Sequence, residues 1–160
     1  MPDRCRQLAR VGAALLVLAS PLALSAGHAL ESAQLTLAGE HFQVELAISN
    51  EEKRRGLMHR DRLAAGSGML FIYATPQPTR FWNKNVRFPI DILYFDEHRA
   101  FLRADTHVPP CPALPCPVYQ SGQPVKYVLE LPAGSRQRLD LQAGQRFLFR
   151  SGGTPQAGSP

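Results

Sequence analysis

Met69-Leu-Phe-Ile-Tyr73 is an unbroken apolar run, and Ile90-Asp-Ile-Leu-Tyr-Phe95, opened by Pro89, is a second one rich in β-branched and aromatic residues. Both have the length of strands covered on two faces rather than that of a buried helix. Working upstream, Gln34-Leu-Thr-Leu37 and Phe42-Gln-Val-Glu-Leu-Ala-Ile48 alternate apolar and polar residues around the turn-forming Gly39, which predicts a hairpin. Ser49-Asn-Glu-Glu52 then places a hydroxyl three positions ahead of a carboxylate, a capping box, and predicts a short helix from about Asn50 to Met58. Gly66-Ser-Gly68 ends the following loop, and Thr75-Pro-Gln-Pro78 is expected to turn the chain. Downstream, Asp96-Glu-His-Arg99 turns into a strand at Ala100–Ala104, Val125–Leu131 is a further strand, Pro132-Ala-Gly134 a turn and Arg146–Phe149 the last strand. The expectation is a mainly β domain on the α+β border: one compact β-sandwich or barrel-like unit over residues 30–150, with one short helix near 50–58.

The ends of the chain read differently. Arg4, Arg6 and Arg10 precede an apolar run from Val11 to Leu24, and Gly27 and Ala29 supply small residues at alternate positions. That is signal-peptide chemistry, with residues 1–29 removed after Ala29. The run is shorter than the roughly 20 apolar residues a membrane helix needs, and Pro21 interrupts it, so no stable span is expected after cleavage. The Gly/Ser/Pro-rich residues 151–160 read as a disordered tail. Loss of 1–29 leaves fifteen basic and twelve acidic residues, a formal charge of +3 against +5 for the whole chain. Apart from Lys53-Arg54-Arg55 the basic residues are scattered, which argues against a nucleic-acid partner.

Two cysteines remain after cleavage, Cys111 and Cys116, in the rigid loop Pro109-Pro-Cys-Pro-Ala-Leu-Pro-Cys-Pro117. In an oxidising compartment such a pair forms a disulfide. A redox-active pair or half of a metal site are the alternatives, but the spacing is not that of a thioredoxin-type pair and no second pair completes a zinc site. The bridge therefore reads as structural, and export to the periplasm or beyond is the matching localisation.

No Gly-x-Ser-x-Gly, His-Glu-x-x-His, phosphate-binding loop or dinucleotide fingerprint occurs. His41, His59, His98 and His107 lack metal-ligand spacing, so neither a metal nor a cofactor is expected. What stands out is polar interruption of apolar stretches: Arg55-Gly-Leu-Met-His-Arg60, Phe81-Trp-Asn-Lys-Asn85, and Pro89-Ile-Asp-Ile92 with Asp91 between two isoleucines. A buried carboxylate there needs a partner, with Lys84 or an arginine the natural one.

At these residues the chain resembles the domain of unknown function 192 family. The shared stretches stand here as Gly56-Leu-Met-His-Arg60, Gly68-Met-Leu-Phe71, Phe81-Trp-Asn-Lys-Asn85, Pro89-Ile-Asp-Ile92 and Val128-Leu-Glu-Leu-Pro-Ala-Gly134. They cover roughly residues 33–150, and the Cys111/Cys116 loop with Tyr119 fits as well. The main departure is Asn83, where the family usually carries methionine, which bears on local packing. The resemblance implies a small β-rich fold with a short helix, often exported in bacteria and also found in archaea. It implies no activity.

Function then rests on side chains. One reading is a polar binding site in which Arg60, Lys84 and Asn85 donate, Asp91 and Glu130 accept, and Trp82 is an apolar platform for a small polar or anionic ligand, saccharides included. The plain structural alternative has Lys84 paired to Asp91 or Glu130, Arg60 tying loops together and Trp82 filling the core. The Lys53-Arg54-Arg55 cluster likewise reads as complementing the negative end of the helix. Two further classes are a hydrolase using Asp91 and Glu130 as its carboxylate pair, and an envelope interaction module, which would expose apolar surface around Tyr94, Phe95 or Phe101. Binding is favoured over catalysis.

Overall fold

The computed structural model describes residues 30–151. Nine strands and two short helices follow in the order β1 (Ser32–Leu37), β2 (Glu40–Ala47), α1 (Asn50–Arg55), β3 (Ser67–Gln77), β4 (Arg80–Phe81), β5 (Ile90–Phe95), β6 (Phe101–Val108), β7 (Tyr119–Gln120), β8 (Val125–Pro132), α2 (Ser135–Arg138) and β9 (Leu148–Ser151). The expected signal peptide and most of the expected tail lie outside the described residues. None of the described helices is long and apolar enough to cross a membrane.

Seven strands form one sheet in the order β6-β5-β8-β3-β2-β1-β9, while β4 and β7 pair separately. All ladders are antiparallel except β2–β3, whose parallel pairing is made by the crossover through α1. Bonds from Phe101 N to Gln145 O and from Phe147 N to Arg99 O carry the start of β6 onto the segment entering β9. The two ends of the strand order therefore meet, and the sheet wraps into the barrel-like form expected.

Because strand side chains alternate, the wrap has two apolar layers. Leu35, Phe42, Val44, Leu70, Leu93, Phe95, Leu129 and Phe147 pack inside, with Phe95 and Phe147 edge to face at 4.9 Å. Met69, Phe71, Ile90, Ile92, Tyr94 and Val128 form the outer layer, closed over by Leu57, Phe81 and Val86. β3 and β5 feed both layers, which is why their sequences are continuous apolar runs.

Local chemistry explains where elements stop. The Ser49 hydroxyl accepts from Glu52 N and the Glu52 carboxylate accepts from Ser49 N, so the capping box starts α1 as expected. The helix ends at Arg55, short of Met58, because Gly56 takes φ +46° and reverses the chain. Pro76 lies within β3 rather than in a turn. It falls between Ile72 and Gln77, where the ladder to β8 lapses and no donor is required of it. A second helix, α2, follows the Pro132-Ala-Gly134 turn and was not anticipated. At four residues it is too short to show helical periodicity.

Candidate functional site

Between α1 and the β4 arm lies an open cleft of about 590 Å³. Lys53, Arg54 and Arg55 from α1, with Gly56, Leu57 and Met58 after it, form one wall. Arg80, Phe81, Trp82 and Lys84 form the other, and Phe71, Tyr73 and Glu130 rise from the sheet between them. The walls are fixed by named contacts. Phe81 packs edge to face on Phe71 at 5.0 Å, and His59 N donates to Asn85 O at 2.8 Å. Asn83 is buried and its side-chain amide donates to the carbonyls of Phe88, Val108 and Pro109, while its Oδ1 has no partner. A polar residue here thus ties three loop carbonyls together where methionine would only pack.

Three of the expected site residues meet in this cleft. Trp82 is 44% exposed, contrary to a core role, and Lys84 Nζ sits 5.2 Å from its ring centroid. Lys84 makes no ion pair with Asp91 or Glu130. Glu130 is 4% exposed, and its carboxyl has no hydrogen-bond or ion-pair partner among the described residues. Burial pushes its pKa up to about 8, against the pull of nearby Arg60. It is the only carboxylate lining the cleft among the described residues.

Arg60 stands behind the site rather than in it. Its guanidinium grips Glu45 through two bonds of 2.5 and 2.6 Å, tying the loop after α1 to β2 as the structural alternative expected. The hydrogen bond from Arg60 holds the Glu45 carboxyl below its usual range. Asn85 contributes its backbone, at φ +55°, and does not line the cleft.

Asp91 is elsewhere. It pairs across β8 with Leu131, whereas Glu130 pairs with Ile92, so alternation sends the two carboxyls to opposite faces of the sheet. The Asp91 carboxylate accepts from His107 N at 2.8 Å and Arg136 N at 2.9 Å, anchoring the end of β6 and the first turn of α2. The expected partner, a lysine or arginine side chain, is replaced by backbone amides. Asp91 and Glu130 therefore form no general acid/base pair.

The residues the sequence reading missed are Tyr73, Arg80 and the α1 cations. Lys53 donates to Ile48 O and lies 5.1 Å from the Tyr73 ring centroid, and burial lowers its pKa. Burial and the nearby Glu130 raise the Tyr73 hydroxyl to about 12. Arg54, Arg55, Arg80 and Lys84 have no carboxylate within ion-pair distance among the described residues. The apolar run that contains Phe71 was legible, but not that it faces these cations.

Cys111 and Cys116 are joined, their Cα atoms 5.8 Å apart. Cys111 N donates to Asn83 O and Asn85 N to Cys111 O, so the bridged loop braces the arm that carries Trp82 and Lys84.

The chain is 31% identical to a Sinorhizobium meliloti 1021 protein whose name suggests a transcription regulator, with a TM-score of 0.66, covering 74% of this chain and 92% of that one. A protein of unknown function from Novosphingobium aromaticivorans DSM 12444 is 27% identical, with a TM-score of 0.66, covering 73% of this chain and 83% of that one. No curated protein matches the sequence. Residues 33–149 match DUF192, described as an uncharacterized ACR, and the chain belongs to that family.

Proposed function

We propose that this chain is an exported, periplasmic or secreted protein that binds a small polar or anionic ligand, saccharides among them, in the cleft between α1 and the β4 arm. One observation carries the reading. Arg54, Arg55, Arg80 and Lys84 converge on a concave site without a carboxylate partner among the described residues, beside the exposed ring of Trp82. Cations that make no ion pair around a cleft of this volume favour an anion small enough to enter it, held by charge-assisted hydrogen bonds. Export is supported by the basic-then-apolar residues 1–29 and by the Cys111–Cys116 bridge, a bond that persists in oxidising compartments.

The other classes have less behind them. Tyr94, Phe95 and Phe101 are buried, so the apolar surface expected of an interaction module is not at that place. Glu130 has no second carboxylate beside it in the cleft among the described residues, which counts against the paired-carboxylate hydrolase.

The test is titration of the full chain with galacturonate, glucose 6-phosphate, citrate, inorganic phosphate and neutral glucose, followed by thermal shift and calorimetry. At about 100 times Kd a bound anion adds about 2.7 kcal/mol of stability. The Arg55→Gln/Lys84→Gln double variant should stay folded and lose the shift. A double variant that binds as the parent does, or a chain that no anion shifts, rejects the reading. N-terminal sequencing of the protein recovered from culture should begin at Leu30; an N-terminus still at Met1 rejects export by cleavage.

A further inference from the structure

We propose that the ligand is a hydroxylated organic anion, a sugar acid or sugar phosphate, whose acidic group docks on Arg54, Arg55 and Lys84 while one of its hydroxyls hydrogen-bonds Glu130 and Tyr73. This rests on the anion-binding reading and adds what the other end of the ligand must be.

Two polar groups of the cleft have no hydrogen-bonding partner among the described residues. Glu130 is buried on β8 between Met69 of β3 and Ile92 of β5, and its carboxyl has no partner among the described residues. The Tyr73 hydroxyl on β3 is also without a hydrogen bond there. A carboxyl only 4% exposed, meeting solvent through the cleft alone and without a protein partner, is poorly hydrated, and a hydrogen-bonding ligand group recovers part of that loss. Both groups line the cleft, so the recovery is available only to what occupies it.

The choice between a ligand hydroxyl and a ligand ammonium follows from charge. Arg60 lies behind Glu130, and Lys53, Arg54, Arg55, Arg80 and Lys84 line the same cleft, so a second cation would meet like charge on several sides. Burial also holds Glu130 largely protonated at neutral pH, when it attracts an ammonium weakly but can both donate to and accept from a hydroxyl. The Tyr73 phenol, protonated throughout that range, offers the same two roles. Trp82 adds an apolar face suited to the C–H side of a polyol ring or chain.

A site built to bond a hydroxyl rejects the analogue lacking it, because its own polar groups are then left unpaired. The experiment compares matched anions on the full chain by calorimetry: gluconate against hexanoate, and glucose 6-phosphate against hexyl phosphate. The hydroxylated member of at least one pair should bind about tenfold more tightly, the worth of one well-made hydrogen bond. Which pair shows it separates a carboxylate from a phosphate head. Glu130→Met and Tyr73→Phe, which remove the hydrogen-bonding groups, should each cut that preference to about threefold or less, a loss of about half a decade in Kd. Equal binding within both pairs, or an undiminished preference in both variants, overturns the proposal and leaves anion binding standing. Absence of binding by all four anions overturns both.

Discussion

Glu130 faces Ile92 across the β5–β8 ladder and Asp91 faces Leu131, so two buried carboxyls one rung apart project from opposite sides of a single sheet. Their surroundings differ accordingly. Asp91 has two backbone amides aimed at it, whereas Glu130 has no hydrogen-bonding partner among the described residues and opens on the cleft. One carboxyl is committed to holding the fold, and the other is left available.

Asp91→Ala should therefore destabilise the domain without altering what the cleft binds. It leaves the amides of His107 and Arg136, both part-buried, without their acceptor and opens a gap where the fully buried Asp91 side chain stood. Losing one acceptor shared by two part-buried donors costs about 1–3 kcal/mol. Asp91→Asn retains one acceptor oxygen and should cost less than Ala. Urea denaturation measures both, and an Asp91→Ala domain as stable as the parent would refute the anchoring role.

Glu130 should give stability the opposite pH trend from an ordinary paired carboxylate. Its folded pKa, near 8, lies above the unfolded value of 4.5, so between these the folded state holds more protons. Stability contributed by the neutral carboxyl is complete below about pH 4.5 and is lost as pH rises toward 8. Glu130→Gln, neutral at every pH, should flatten that decline, with the gap between the two proteins widening from pH 5 to 8. Arg60→Gln removes the cation that opposes the shift and should move the decline to higher pH. Parallel pH–stability curves for parent and Glu130→Gln would show that Glu130 is not held neutral.

Much of this frame could be read from sequence, and the failures have physical causes. Ser49 and Glu52 announced α1 because a capping box is local. Trp82 and Lys84 were singled out because the polar-rich stretch Phe81–Asn85 interrupts apolar strands, and Glu130 because it lies in a stretch shared with the family. Asp91 was grouped with them wrongly: in a strand buried on both faces, hydrophobicity does not say which face a residue takes, and only the register with β8 does. The basic run Lys53-Arg54-Arg55 fits helix-dipole complementation at one end of α1 equally well, and its place on a cleft wall depends on β3 and β4, which lie later in the chain. Arg80 carries no local signal at all.

Gly68 sets how closely β3 approaches β8 beside the site. A Cβ there would stand 2.7 Å from the backbone oxygen of Glu130 and 2.7 Å from Leu131 Cδ2, and the backbone oxygen cannot yield. Gly68→Ala should thus push the strands apart, cost about 1–3 kcal/mol, and weaken ligand binding by displacing Glu130. A Gly68→Ala variant with parental stability and affinity would mean the ladder absorbs the methyl without moving the cleft.

The Cys111–Cys116 bridge should matter more to the cleft than to the fold. Its loop is short, so the chain-entropy model assigns it only about 2 kcal/mol of global stability. Yet Cys111 N and O bond Asn83 O and Asn85 N on either side of Lys84, so loosening the loop loosens the arm that presents Trp82 and Lys84. Trp82 is the only tryptophan in the chain, so its emission reports on this arm alone. Reduction, or the Cys111→Ser/Cys116→Ser double variant, should shift that emission and make it more accessible to iodide, with anion affinity falling, at temperatures where the circular dichroism of the sheet is unchanged. If emission and affinity survive reduction while only the melting temperature drops, the bridge acts on the unfolded chain and the arm is held by its backbone bonds unaided.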